Sequence, residues 1–238
     1  PASADIKYSY STSARREPIS GWPTNAGTYT VTAKVEATGN YGEATATAQL
    51  TINKAPLTIA SATVASKPYD AAKTATVSGV TFTGLVNGET LAPGEDYTAS
   101  GEFADANAGT GKSVTVTVVL TSAKANNYNL TNSSVNATGT ITKADSSITK
   151  VPTAAGITYG QALSDSALTN GEGSVAGAFT WTDGTIKSNA GTAQFSVTFT
   201  PNDTNYNTAT ADVSVTVAKA TPTLTAPTAS AIEYGQKL

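Results

Sequence analysis

Few residues in this 238-residue chain are of types that do chemistry, and their spacing limits what each can do. Trp22 stands out, in the loop Ser20-Gly21-Trp22-Pro23. An indole face presented by a loop can stack on a sugar ring, and the same ring can equally pack on a neighbouring loop. Carboxylates are sparse and scattered. Glu95-Asp96, and Asp203 beside Asn202 and Asn205, carry oxygens of the kind Ca²⁺ takes, but neither stretch alternates its ligands as a dedicated calcium loop does. Both read as solvated turns. Glycoside hydrolysis needs two carboxyl groups opposed across a cleft, and no such pair is marked out. Lys54, Lys143 and Lys219 recur among many asparagines, the ingredients of an internal Lys–Asn isopeptide bond. Each follows the last apolar position of a strand-like run, where a solvated hinge is the expectation. Histidine, cysteine and methionine are absent, which removes imidazole and thiolate catalysis and thiolate metal sites. No catalytic, metal-binding or cofactor-binding residue is assigned, no enzyme activity is expected, and Trp22 is the one ligand-binding candidate.

The elements that must hold these residues are announced by a repeated tetrapeptide. Asn-Ala-Gly-Thr occurs at Asn25–Thr28, Asn107–Thr110 and Asn189–Thr192. It lacks the helix and lysine of a phosphate-cradling loop. Its glycines (Gly27, Gly109 and Gly191) suit tight turns that need positive φ. A run of alternating apolar residues follows each copy: Tyr29, Val31, Ala33 and Val35; Val114, Val116, Val118 and Leu120; Ala193, Phe195, Val197 and Phe199. That period of two is the pattern of a strand with one buried face. The turn then acts as a register device, fixing which face is buried.

Three further landmarks travel with the turn. Strand-like runs close on Lys54-Ala55, Lys143-Ala144 and Lys219-Ala220. A Tyr follows at Tyr69, Tyr159 and Tyr234, and Asn-Tyr recurs at Asn40-Tyr41, Asn127-Tyr128 and Asn205-Tyr206. These define two complete repeats, 55–143 and 144–219. Residues 1–54 carry the back half of a repeat, and 220–238 open another. In 144–219, strands are expected near Ser147–Val151, Ile157–Tyr159, Ala178–Thr182, Ala193–Thr200 and Ala209–Val217, with Phe179 and Trp181 pointing inward. Extra length around Asn87–Asp96 and Ser122–Asn127 reads as longer loops. Short strands so spaced predict an all-β fold of tandem immunoglobulin-like β-sandwich domains, set end to end as an elongated rod by short linkers.

Composition sets the outer bounds. Leu, Ile, Val and Phe make up about 17% of the chain, below the ~20% that warns of disorder, but the companion warning of high net charge is not met. Ala, Thr and Tyr must fill out thin cores. A formal charge of −3 without a basic cluster argues against nucleic acid, and no apolar stretch is long enough for membrane insertion. The missing initiator Met and leader mark the chain as an internal piece of a longer protein.

The third repeat, with Tyr159-Gly160-Gln161, the Asn189–Thr192 turn and the Val213–Ala220 ending, resembles MBG domains of the YGX type. The second, with Lys67-Pro68-Tyr69-Asp70 and Asn126-Asn127-Tyr128, resembles YDG-type domains, departing from their name motif at Ala71, where glycine is expected. Residues 1–54 resemble the back half of a similar bacterial immunoglobulin-like repeat. The resemblance implies a cell-surface or secreted bacterial protein in which such modules are structural spacers, stalks or adhesin parts, with no catalytic residues or cofactor. Two alternatives stand beside that reading: a module binding host or environmental glycan or glycoprotein through exposed aromatics such as Trp22, and accessory repeats of a multimodular secreted glycoside-active enzyme. The ends carry a further expectation. Strand 220–238 of one molecule can complete the half-repeat of another, giving end-to-end self-association by strand complementation; alternatively, boundaries cut through repeats and the ends fray.

Overall fold

A computed structural model describes residues 5–12 and 18–237. The chain divides into two compact units, Pro1–Thr142 and Lys143–Leu238, each considered by itself. The fold is all-β, with only two single-turn 3₁₀ segments, Ala125–Asn127 and Leu163–Asp165.

The first unit opens with a three-stranded antiparallel sheet: β1 (Ile6–Thr12), β2 (Gly27–Val35) and β3 (Ala44–Ile52), with β2 in the centre. Register places Tyr8 opposite Ala33 and Tyr10 opposite Val31, and sets Tyr29 opposite Leu50 and Val31 opposite Ala48. The apolar residues therefore share one face, as alternation demands. That face is largely uncovered: Tyr10 and Tyr29 are buried, whereas Ala44, Ala46 and Ala48 are exposed.

The rest of the unit is a two-layer sandwich. One layer comprises β4 (Ala55–Val64), β7 (Val77–Thr83) and β10 (Tyr128–Leu130). The other comprises β5 (Lys67–Pro68), β6 (Thr74–Ala75), β8 (Tyr97–Phe103), β9 (Gly109–Leu120) and β11 (Ser134–Thr142), in the order β5-β11-β9-β8-β6. Ile59 from the first layer meets Phe103, Val114, Val116, Val118 and Ile141 from the second, all nearly solvent-free. Phe82 and Tyr97 close the core edge to face, 5.1 Å between ring centres.

The second unit is built on a four-stranded sheet: β14 (Ile157–Thr158), β17 (Gly177–Trp181), β18 (Gly191–Pro201) and β19 (Ala209–Ala218), in the order β14-β19-β18-β17. Two small pairs accompany it, β12 (Ile148–Lys150) with β16 (Glu172–Gly173), and β13 (Thr153–Ala154) with β15 (Leu168–Thr169). The five strands expected from alternation are present to within one or two residues. Segments β13, β15 and β16 were not anticipated, because two residues are too few to show a period. Phe179 and Trp181 are half-buried, and the Trp181 indole donates to the Ser166 carbonyl at 2.9 Å.

One register recurs three times. Gly27 lies opposite Ile52, Gly109 opposite Ile141 and Gly191 opposite Val217. Each turn glycine thus pairs with the residue two positions before the closing lysine, the fixed frame expected of a register device. The expected backbone did not recur as uniformly. Gly191 has φ +139, but Gly109 is not at positive φ, and the left-handed residue there is Gly111 at +63. Asp105 accounts for the difference. Its carboxylate accepts the Asn107 N–H at 2.8 Å, so an aspartate turn bends the chain ahead of the glycine.

Candidate functional site

Trp22 lies where residues 18–26 fold back over β1, held by the Ile19 N–H donating to the Tyr10 carbonyl at 2.7 Å. One indole face leans on the Tyr10 ring, 5.1 Å between centres at 42°, and the side chain remains 76% exposed. Tyr8, one alternation along β1, extends the aromatic surface. With Ser9, Ile19 and Gly21 these residues line an open hollow of about 330 Å³. A platform of two adjoining rings beside a hydroxyl offers stacking and hydrogen bonding, but no acid or base. Tyr10 was the partner that sequence did not reveal. It reaches Trp22 only because the loop doubles back.

A second constellation lies where the first sheet adjoins the sandwich of the same unit. Asn127 accepts the Ala26 N–H on Oδ1 at 2.8 Å and donates through Nδ2 to Asn25 Oδ1 at 3.0 Å. Asn25 is fixed in turn by the Tyr29 hydroxyl donating to its carbonyl at 2.8 Å. The Asn-Tyr landmark of one repeat therefore grips the Asn-Ala-Gly turn of the preceding one. No sequence signal announces this pairing, which joins residues about a hundred positions apart.

The two long loops of the sandwich are tied together by Asp96. Expected as part of a solvated turn, Asp96 is instead 6% exposed. It receives Lys124 Nζ at 2.8 Å, the Ser122 hydroxyl at 2.6 Å and the Ala92 N–H at 2.9 Å. Lys124 first, then Ser122 and the backbone, draw its pKa down to about 2. Beside this knot the Tyr128 hydroxyl donates to Glu89, and burial, then that bond, pushes the phenol's pKa upward. All of Asp96's acceptor capacity is taken up by loop contacts, so the cluster is a fastening. Glu95 stays exposed.

The remaining candidates stay apart. Asp203 accepts the Asn205 N–H at 2.9 Å in a local turn. Lys54, Lys143 and Lys219 are all exposed. Among the described residues no three acidic side chains gather as a metal site would require. Hollows of about 330 and 340 Å³ lie along β7–β8 and beside Trp181, and neither joins an acid to a base. No helix among the described residues is long and apolar enough to cross a membrane.

The sandwich also explains the Ala71 departure. Ala71 sits at φ +61, in the left-handed region that glycine would occupy, while Asp70 closes the turn on Lys67 Nζ at 2.6 Å and on the Ala72 N–H at 2.9 Å. Lys67 first, then that N–H, lower the Asp70 pKa. The geometry of the motif survives without its glycine.

Comparison with known proteins agrees with this sandwich. Residues 52–137 match the YDG domain family. No curated protein sequence matches the chain. Among solved structures, Sidekick-1 immunoglobulin domains 1–5 align with 12% identity and a TM-score of 0.27, over 90% of this chain and 52% of that one, so the chain spans about half of that structure's length. The family resemblance thus rests on the segment from the start of β4 into β11, which is similar to a YDG domain.

Proposed function

We propose that this chain is a non-catalytic spacer made of tandem immunoglobulin-like repeats, part of a bacterial surface or secreted protein. Residues 55–143 would form a YDG-like domain and 144–219 an MBG (YGX-type)-like domain. Residues 1–54 and 220–238 would belong to flanking repeats. The Asn127 clamp carries the reading, because a spacer needs stiff joints. Two hydrogen bonds on one amide, added to a linker of only Asn53 and Lys54 between β3 and β4, oppose bending where one repeat meets the next. Adhesion at the cell surface is compatible with the same build. Small-angle scattering tests the proposal: an elongated particle is expected, with Asn127→Ala broadening the distance distribution through a looser joint. A compact globule would refute it.

A second reading is favoured by the Trp22–Tyr10 platform, an exposed aromatic pair suited to a sugar face. Binding to host or environmental glycans, detected on a glycan array and abolished in Trp22→Ala with the fold intact, would establish it. Equal binding by the variant would assign Trp22 to packing.

A further inference from the structure

Two ladders recur in both complete repeats, and each contains a residue from the repeat's opening segment. In the first, the alanine after a closing lysine lies parallel to the tyrosine of Asn-Tyr: Ala55 with Tyr128, and Ala144 with Tyr206. Around the second of these, the Ala144 N–H donates to the Asn205 carbonyl at 3.0 Å and the Asn207 N–H to the Ala144 carbonyl at 2.8 Å. In the second ladder, the two residues before the landmark tyrosine lie parallel to the two before the closing lysine. Lys67-Pro68 pair with Ile141-Thr142, and Ile157-Thr158 with Val217-Ala218. Each time the tyrosine N–H then donates 2.8 Å to the last of those carbonyls, Tyr69 to Thr142 and Tyr159 to Ala218.

Among the described residues both receiving positions are open on the first sheet. The outer edge of β3, ending at Ile52-Asn53, has no ladder, and Tyr41 is 72% exposed. Both donating positions are open on the tail. Ala220 and Ile232-Glu233 are exposed and unladdered, and the apolar side chains Leu224 and Ile232 face water. The tail is nonetheless shaped for the task. Gly160 and Gly235 both sit at φ +97. Gln161 caps the Thr158 N–H at 2.7 Å and Gln236 caps the Glu233 N–H at 3.1 Å. The turn that ends β14 is therefore already formed around Tyr234. The interval from Ala220 to Ile232 also equals that from Ala55 to Lys67 and is one residue shorter than that from Ala144 to Ile157, so one tail can reach both ladders.

We propose that the tail of one copy of this chain docks on the first sheet of a second copy. Ala220 pairs beside Tyr41, and Ile232-Glu233 lie parallel to Ile52-Asn53. The Tyr234 N–H donates to the Asn53 carbonyl, and Ile232 covers part of the open apolar face. The contact is heterologous, since the donating and receiving surfaces differ, so it leads to chains or rings rather than a closed pair. It is strand addition at an exposed edge, with main-chain bonds supplying affinity.

Sedimentation of the full chain over a wide concentration series tests this, with hydrogen exchange read at Tyr41-Gly42 and Ile52-Asn53. The expected result is a mass that rises with concentration and protection at those amides that rises with it. Tyr234→Pro keeps the turn, because proline suits its second position, and removes the donated N–H. It should weaken association by about tenfold or more, as loss of a buried main-chain bond does. Tyr234→Ala, which keeps the N–H, should associate normally. A monomer at every concentration overturns the proposal, whether its tail is unprotected or closed on its own sheet. Equal behaviour of the proline and alanine variants overturns it as well. None of these outcomes bears on the particle shape that tests the spacer reading, which is measured on the dilute chain.

Discussion

Phe199→Ala should remove about 3–5 kcal/mol from the stability of residues 143–218, the cost of emptying a large aromatic site. Domains of this size hold roughly 5–15 kcal/mol in all, so the variant is expected to be marginally folded at room temperature. The magnitude follows from what the ring touches. Phe199 is 1% exposed and leans on Phe179 with 5.0 Å between centres. Its ring also lies against the bare backbones of Gly173 and Gly177. A Cβ at either would stand 2.1 or 2.6 Å from the ring, so the sheet was built around this one side chain. Few other groups can refill the space in a core this thin. Hydrogen exchange resolved by segment checks the effect, with protection of β18 and β19 falling by about two to three orders of magnitude. The same geometry makes a second expectation. Gly173→Ala is destabilising alone, but in the Phe199→Ala background the new methyl enters vacated space, so the two changes should couple strongly and favourably. Simple additivity would show that the ring and the glycine backbone do not share a site.

Much of this architecture was legible because β-structure writes a period of two into the chain. Val114, Val116 and Val118 alternate in sequence and lie together at the centre of the sandwich, and Val213, Val215 and Val217 do the same in the second unit. Turn glycines and closing lysines gave the register, because pairing Gly27 with Ile52, Gly109 with Ile141 and Gly191 with Val217 is a matter of counting. The same alternation misled for the first sheet. Tyr29, Val31, Ala33 and Val35 read as a buried face, yet only Tyr29 is fully buried there, since alternation shows which residues share a face and not whether a second layer covers it.

Contacts between loops were illegible for a different reason. Asp96 looked solvated because its neighbours in sequence are Glu95 and Gly94, while the groups that bury it, Lys124 and Ser122, arrive from a loop across the sheet. Trp22 could be named as an exposed aromatic, but its platform needed Tyr10, and the Asn127 grip on Asn25 and Ala26 needed two repeats folded side by side. Composition and motif report what a residue can do. Only the fold reports what it meets. The functional argument therefore rests on joints, edges and one aromatic platform.

Gly84→Ala should be the most damaging single-atom change in the sandwich, costing on the order of 3–5 kcal/mol from two separable causes. Gly84 follows β7 and crosses β4 where Pro56 leads into the fully buried Leu57. Its φ is +98, in the left-handed half of the map, where a side chain costs about 1–2 kcal/mol. An added Cβ would also stand 2.3 Å from the Pro56 carbonyl oxygen and 3.4 Å from the Leu57 Cα. Both neighbours are main chain, so no rotamer change relieves the overlap. Instead β4 must shift, and with it Leu57 and the pairing of Thr58 with Thr83. Gly88 supplies the control four residues on. It has φ +71 and nothing within 4 Å of its would-be Cβ, so Gly88→Ala should pay the conformational cost alone, about 1 kcal/mol. Denaturant unfolding of the two variants isolates the clash as their difference. A Gly84→Ala variant no less stable than Gly88→Ala would mean that β4 moves freely there, and that the Pro56–Leu57 crossing is not the rigid start of the sandwich.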